Sequence, residues 1–264
     1  MPGGACSQGD DVTAIAIALI VLVCVFGGAL LGMFLRTVLP EHHLSEASKD
    51  VVKLVTGLVA TLAALVLGLL IASAKNSFDM ANEGFRQSAA RIILLDRALA
   101  QYGPEAKDLR ALLKQGFAAR VQQLFPQGQA QSSTLHSPQA TAAIEGLQQM
   151  VRALPAQNDT QRALQSRAID LAESVAQARW LGIEHEDNTI PTQFLVVLVF
   201  WLAAMFTGFG LFAPRNAIAI AVLFLGAMSL SAAIFLIEEL NSPLEGFITI
   251  SKAPMERALG YLGK

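Results

Sequence analysis

Charge is what this sequence has least of. Only 15% of its 264 residues are Asp, Glu, Lys or Arg, where a soluble domain carries about 25%. Hydrophobic residues make up 53%, and the mean hydropathy is +0.49. The deficit of charge is too large for an ordinary globular protein. With 19 basic and 21 acidic residues the net charge is −2, so nothing in the balance points to nucleic acid. Cysteine is nearly absent too. Cys6 and Cys24 say almost nothing about redox compartment. No basic residue precedes the first apolar run, which argues against a cleaved signal peptide. Cys6 comes before that run and not after it, which argues against a lipidated leader. Strand-like alternation of any length is missing. So are the Walker, GxGxxG, HExxH and GxSxG motifs, and no nucleophile–base arrangement or metal spacing replaces them. An enzyme is therefore not expected.

What is present in quantity is apolar sequence, in four runs. They cover 13–35, 54–74, 194–213 and 217–237, and no charge lies in the middle of any of them. A bilayer core is about 30 Å thick, and about 20 apolar helical residues cross it. A soluble helix of such length would show a polar stripe, which these lack. The sequence predicts an all-α integral membrane protein with four transmembrane helices. Pro214, Arg215 and Asn216 alone separate the third and fourth runs, which makes them an antiparallel hairpin. More than a hundred residues separate the second from the third. The chain divides into a transmembrane pair (1–76), a soluble helical insert (77–190), a transmembrane hairpin (191–240) and an interfacial tail (241–264). Four crossings put the N-terminus, insert and C-terminus on one side. Lys75, Arg86, Arg91, Arg179, Lys252 and Arg257 stand on that side against Arg36, Lys49, Lys53 and Arg215 on the other. The excess points to a cytoplasmic insert.

The insert reads as amphipathic helices. Phe78, Phe85, Ala89, Ile92, Leu95 and Leu99 recur as on one helical face, so the second membrane helix is expected to run on to Gly103 and Pro104. A helix bearing Leu109, Leu112, Leu113, Phe117, Val121 and Leu124 follows. After a low-complexity loop, Ser137 and Pro138 open a third helix with Ile144, Leu147, Met150, Val151 and Leu154. Asn158 or Asp159 caps a fourth, with Leu164, Ile169, Leu171, Val175 and Trp180, and Pro191 marks the return to the membrane. The acidic cluster Glu184, His185, Glu186 and Asp187 is expected to be a solvated helix end. His42 and His43 are expected to line a loop, since neighbours on a helix point about 100° apart and rarely share a metal.

The second run is the most informative. Gly57, Thr61, Ala64, Gly68, Ala72 and Lys75 fall within about 80° of one another on a helix. Leu58, Leu62, Val66 and Leu69 are expected on the opposite side. A small-residue face lets helices pack closely in lipid, or it lines a pore between bulky neighbours. Pumps and coupled transporters need buried ionisable groups, and their lack leaves a passive pore or no transport. At the end of the fourth run, Glu238, Glu239 and Glu245 form an acidic turn. Carboxylates there oppose the helix dipole and want a compensating charge. A Ca²⁺ site needs six to eight oxygens, which three carboxylates only partly supply, so no cofactor is expected.

The segments GLVATLAALVLGLLIASAK with Phe78 and Asp79, LLDRALAQYGPEA, and IEELNSPLEGFITISKAP together resemble the bacterial bestrophin-like family, from about Gly32 to the end. That family is similar to bestrophins, pentameric anion channels with four membrane helices per subunit and a helical cytoplasmic region. The resemblance implies a homo-oligomeric, pentameric ion channel of the bacterial inner membrane, with anions such as chloride as cargo and no nucleic-acid partner. It implies a neck in the second helix at 57–72 and a Ca²⁺-holding acidic turn at 238–245. This chain has only Leu and Val as bulky neck candidates, and its turn has no dense Asp cluster. The alternative is a membrane-anchored scaffold whose insert binds a protein partner.

Overall fold

A computed structural model describes residues 7–38, 46–125, 138–186, 192–243 and 247–264. All regular structure among these residues is helical. The helices are α1 (Ser7–Val38), α2 (Glu46–Tyr102), α3 (Lys107–Leu124), α4 (Pro138–Arg152), α5 (Asp159–Glu186), α6 (Thr192–Phe212), α7 (Ala217–Asn241) and α8 (Ala253–Tyr261), with one 3₁₀ turn at Pro104–Ala106. Four are long and apolar enough to cross a bilayer: Ala14–Val38, the apolar part of Asp50–Tyr102, Gln193–Phe212 and Ala217–Asn241. The chain is a multi-pass membrane protein.

Contacts divide the chain into two compact units, Met1–Asn76 with Ile190–Asn241, and Ser77–Thr189 with Ser242–Lys264. Helix α2 contributes to both, because it runs unbroken for 57 residues. It contains no proline to stop it before Pro104. Gly103 then takes a positive φ of 127°, a conformation other residues rarely adopt, and the chain turns into the 3₁₀ segment.

In the first unit, α1 packs along α6 at backbone contact. A Cβ on Gly28 would lie 2.7 Å from the Ala203 carbonyl oxygen. One on Gly32 would overlap the Thr207 carbonyl oxygen, and one on Gly210 the Ala29 carbonyl oxygen. Gly28 and Gly32 form a GxxxG pair, the spacing that lets two membrane helices meet without side chains between them. Helix α7 closes on α1 through an edge-to-face pair, Phe26 and Phe224, with ring centroids 5.3 Å apart. The buried Ser231 hydroxyl donates to the Ala18 carbonyl at 2.6 Å. The α1 and α6 carbonyl ends are closed by arginines from each other's chain segment. Arg36 Nη1 donates to Ala213 O at 2.6 Å and Arg215 Nη2 to Met33 O at 2.9 Å. Cations suit helix C-termini because they meet the negative end of the dipole.

The second unit is a soluble-type helical core. Ile92, Leu95, Leu99, Leu113, Phe117, Val121 and Val151 are buried together with Ala168 and Ala172 of α5. The expected apolar faces of α2 and α3 are the ones buried, but Leu112 is half exposed, since it sits a third of a turn off the 109–113–117–121 row. On α5 the closest packing is made by Ala168 and Ala172, with Leu164, Ile169, Leu171 and Val175 around them. Asn158 caps α5, accepting from Gln161 N at 2.8 Å, while the Gln161 side chain accepts from Gln157 N. Gln165 Nε2 reaches the carbonyls of Val151, Arg152 and Leu154 and closes the end of α4. The segment expected as an interfacial tail supplies core residues here: Ile250, Met255, Ala258 and Leu262 are buried in this cluster.

Candidate functional site

The apolar part of α2 has two unlike sides. Ala63, Leu70 and Ala74 are buried, with Thr56, Val59, Ala60, Val66, Leu67 and Ile71 half-buried beside them. This is the packing side, and it faces α6 near Gly208, where an added Cβ would come 3.3 Å from Thr56 Oγ1. Every member of the small-residue row, Gly57, Thr61, Ala64, Gly68, Ala72 and Lys75, is exposed. An added Cβ at Gly57 or Gly68 would meet nothing within 4 Å. The row is therefore not what holds α2 to its own chain. Thr61 turns its hydroxyl back on the Gly57 carbonyl at 2.7 Å, so this polar group is satisfied within the helix. Lys75 is engaged and exposed at the end of the row, where α2 leaves its apolar run.

The leucines stand elsewhere than expected. Leu58, Leu62 and Leu69 are exposed, as is Leu65, and only Val66 leans into the packing side. At 100° per residue these leucines lie beside the small row, about a quarter-turn away, and not across the helix from it. The buried row 63–70–74 is the side that lies across from the small residues. Outward, α2 thus offers a strip of glycine, alanine and threonine next to a strip of leucine, both exposed among the described residues.

Of the acidic turn, Glu238 and Glu239 are described. Glu239 is 2% exposed, whereas Glu238 is half-buried. As consecutive helical residues they point about 100° apart. Glu245 lies outside the described residues. Among the described residues no group of three His, Cys, Asp or Glu gathers to hold a metal ion. His42, His43 and Asp187 also lie outside the described residues, and so do the side chains of Glu184, His185 and Glu186 at the end of α5.

A polar centre that the sequence reading passed over lies in the second unit. Asp96 is 1% exposed. Arg110 grips it with both arms, Nε to Oδ1 at 2.8 Å and Nη2 to Oδ2 at 2.9 Å. Gly263 N donates to Oδ2 at 3.2 Å. The Lys264 carbonyl accepts from Arg97 at 3.2 Å and from Arg110 at 3.0 Å. Burial alone pushes the Asp96 carboxyl up. The Arg110 and Gly263 hydrogen bonds, with the charges of Arg110 and Arg97, outweigh it and hold the group below its ordinary value. The arrangement is a pin between α2, α3 and the 263–264 segment. Its sequence signal is an aspartate inserted between Leu95 and Leu99 of an apolar row.

Comparison with known families now bears on the membrane unit, the insert and the joining helix together. A model of the bestrophin-like domain matches residues 23–255. The chain belongs to the bestrophin-like family. The match begins within α1 and ends within α8, so it takes in the second part of the first span, the other three spans and the helical insert of this bestrophin-like protein. No curated protein and no solved structure matches the chain.

Proposed function

We propose that this bestrophin-like chain forms a homo-oligomeric membrane channel that conducts inorganic anions, with the small-residue row of α2 facing the conduction axis. One observation carries the reading. The Gly57–Thr61–Ala64–Gly68–Ala72 row stays outward over the whole apolar run while α2 packs through a different side. Small side chains leave room for an ion file, and the uncharged run gives the path a wall that gates by its apolar character. No ionisable group interrupts the run, so a passive path fits better than a coupled one. Membership of the bestrophin-like family adds to this. Purified protein in planar bilayers should conduct, with a reversal potential that follows the chloride gradient. Gly68→Phe should lower single-channel conductance several-fold in an assembled protein, because among the described residues nothing lies within 4 Å of a Cβ added there. Unchanged conductance in a normally assembled variant would remove α2 from the path.

A further inference from the structure

Apart from α2, the membrane unit concentrates its chemistry at the link between α6 and α7. Arg36 in the last turn of α1 and Arg215 in that link cross over, each bonding a carbonyl on the other's side. Met33 and Arg36 share one turn, and Ala213 and Arg215 are two residues apart, so both guanidinium groups are held against one end of the α1–α6 pair. Their acceptors are neutral carbonyls, which cancel neither charge. Among the described residues neither arginine has a carboxylate partner. Both are exposed. Each guanidinium carries five N–H donors, so donors remain on both. Like charges gathered at one helix-pair end favour an anion there. From the link, Ile218, Val222 and Leu225 run along one face of α7, 75%, 62% and 55% exposed.

Paired guanidinium donors followed by an apolar row match a ligand with an anionic head and hydrocarbon chains. We propose that Arg36 and Arg215 seat the phosphate of an anionic phospholipid whose acyl chains lie along Ile218, Val222 and Leu225. Guanidinium suits phosphate because its fixed fork matches two oxygens at once, and basic groups between membrane helices hold lipid headgroups in this way. The seat does not depend on whether the protein conducts.

The test uses the full chain in detergent, titrated with phosphatidylglycerol or phosphatidylcholine and followed by native mass spectrometry and thermal melting. Phosphatidylglycerol should bind about tenfold tighter than phosphatidylcholine. Arg36→Gln/Arg215→Gln keeps polar side chains but removes both charges, so the preference for phosphatidylglycerol should vanish while phosphatidylcholine still binds. If the double variant does not assemble, each single Gln variant should still lower the preference, and Arg36→Lys/Arg215→Lys should keep most of it. Equal affinity for the two lipids in the unaltered protein would overturn the proposal, as would an undiminished preference in the Gln variants. Inorganic phosphate that displaces the lipid would show that the headgroup alone fills the seat. Lipid retained against millimolar phosphate would show that the acyl row holds it. The first result overturns the part given to the acyl row, and the second supports it.

Discussion

Single residues decide how closely the membrane helices meet. Gly32 and Gly68 are both glycines in apolar helices, yet their surroundings differ completely. An added methyl at Gly32 would strike the Thr207 carbonyl and the Leu211 amide, which are backbone and cannot swing away. Gly32→Ala should therefore cost about 1–3 kcal/mol in stability through overpacking, seen as a lower melting temperature in detergent. Gly68→Ala should leave the melt unchanged or raise it slightly, since alanine is the better helix former and the site is open. Equal effects of the two changes would contradict the α1–α6 contact. This distinction was only half legible in the sequence. The Gly28-x-x-x-Gly32 spacing was there to be read, but the run around it passes for a plain apolar span. Which glycines are packed and which are open depends on the partner helix, and local periodicity carries no information about that. The two arginines show the same limit: counted only as flanking charges, each turns out to close the other's helix end.

At the scale of elements, α2 and the insert were the more readable parts. Heptad-like recurrence from Phe78 to Leu99 reported the face that is buried, and Gly103–Pro104 reported the stop. The fourth insert helix was read from its larger side chains, although Ala168 and Ala172 make its closest contacts, because alanine gives a weak hydrophobic signal. The Asp96 pin could not be read as a pair, since Arg110 follows 14 residues later across a turn. It joins three elements and should be costly to break. Asp96→Asn leaves the Arg110 guanidinium without its counter-charge, an expected loss of about 3 kcal/mol. The pH dependence has a definite sign. Because the folded carboxyl sits below its ordinary value, its contribution is complete above about pH 4 and disappears as pH falls through the lower folded value. Melts followed by circular dichroism should show a gap between the unaltered protein and Asp96→Asn that is widest near neutrality and narrows below about pH 4. A gap of constant size from pH 6 to pH 3 would mean that Asp96 is not held as the ionised partner.

For the molecule as a whole, the outward side of α2 forces a question of number. One helix cannot enclose a path for an ion, so a conducting role for the small-residue row requires several copies around an axis. The leucine strip beside the row is the side left over for a neighbouring copy, since the remaining side, at Ala63, Leu70 and Ala74, is already buried within the chain. A ring built in this way brings equivalent Gly68 positions toward one another and keeps equivalent Ala63 positions apart. With Cys6 and Cys24 replaced by alanine, Gly68→Cys should form disulfide-linked chains on mild oxidation, and Ala63→Cys should not. Native mass spectrometry should return whole multiples of the 28.1 kDa chain, five being the number that the bestrophin likeness leads us to expect. A different multiple would revise the number of copies and leave the α2 axis standing. A well-folded monomer that never cross-links through position 68 would place the row against lipid, and no ion path could then be drawn along α2.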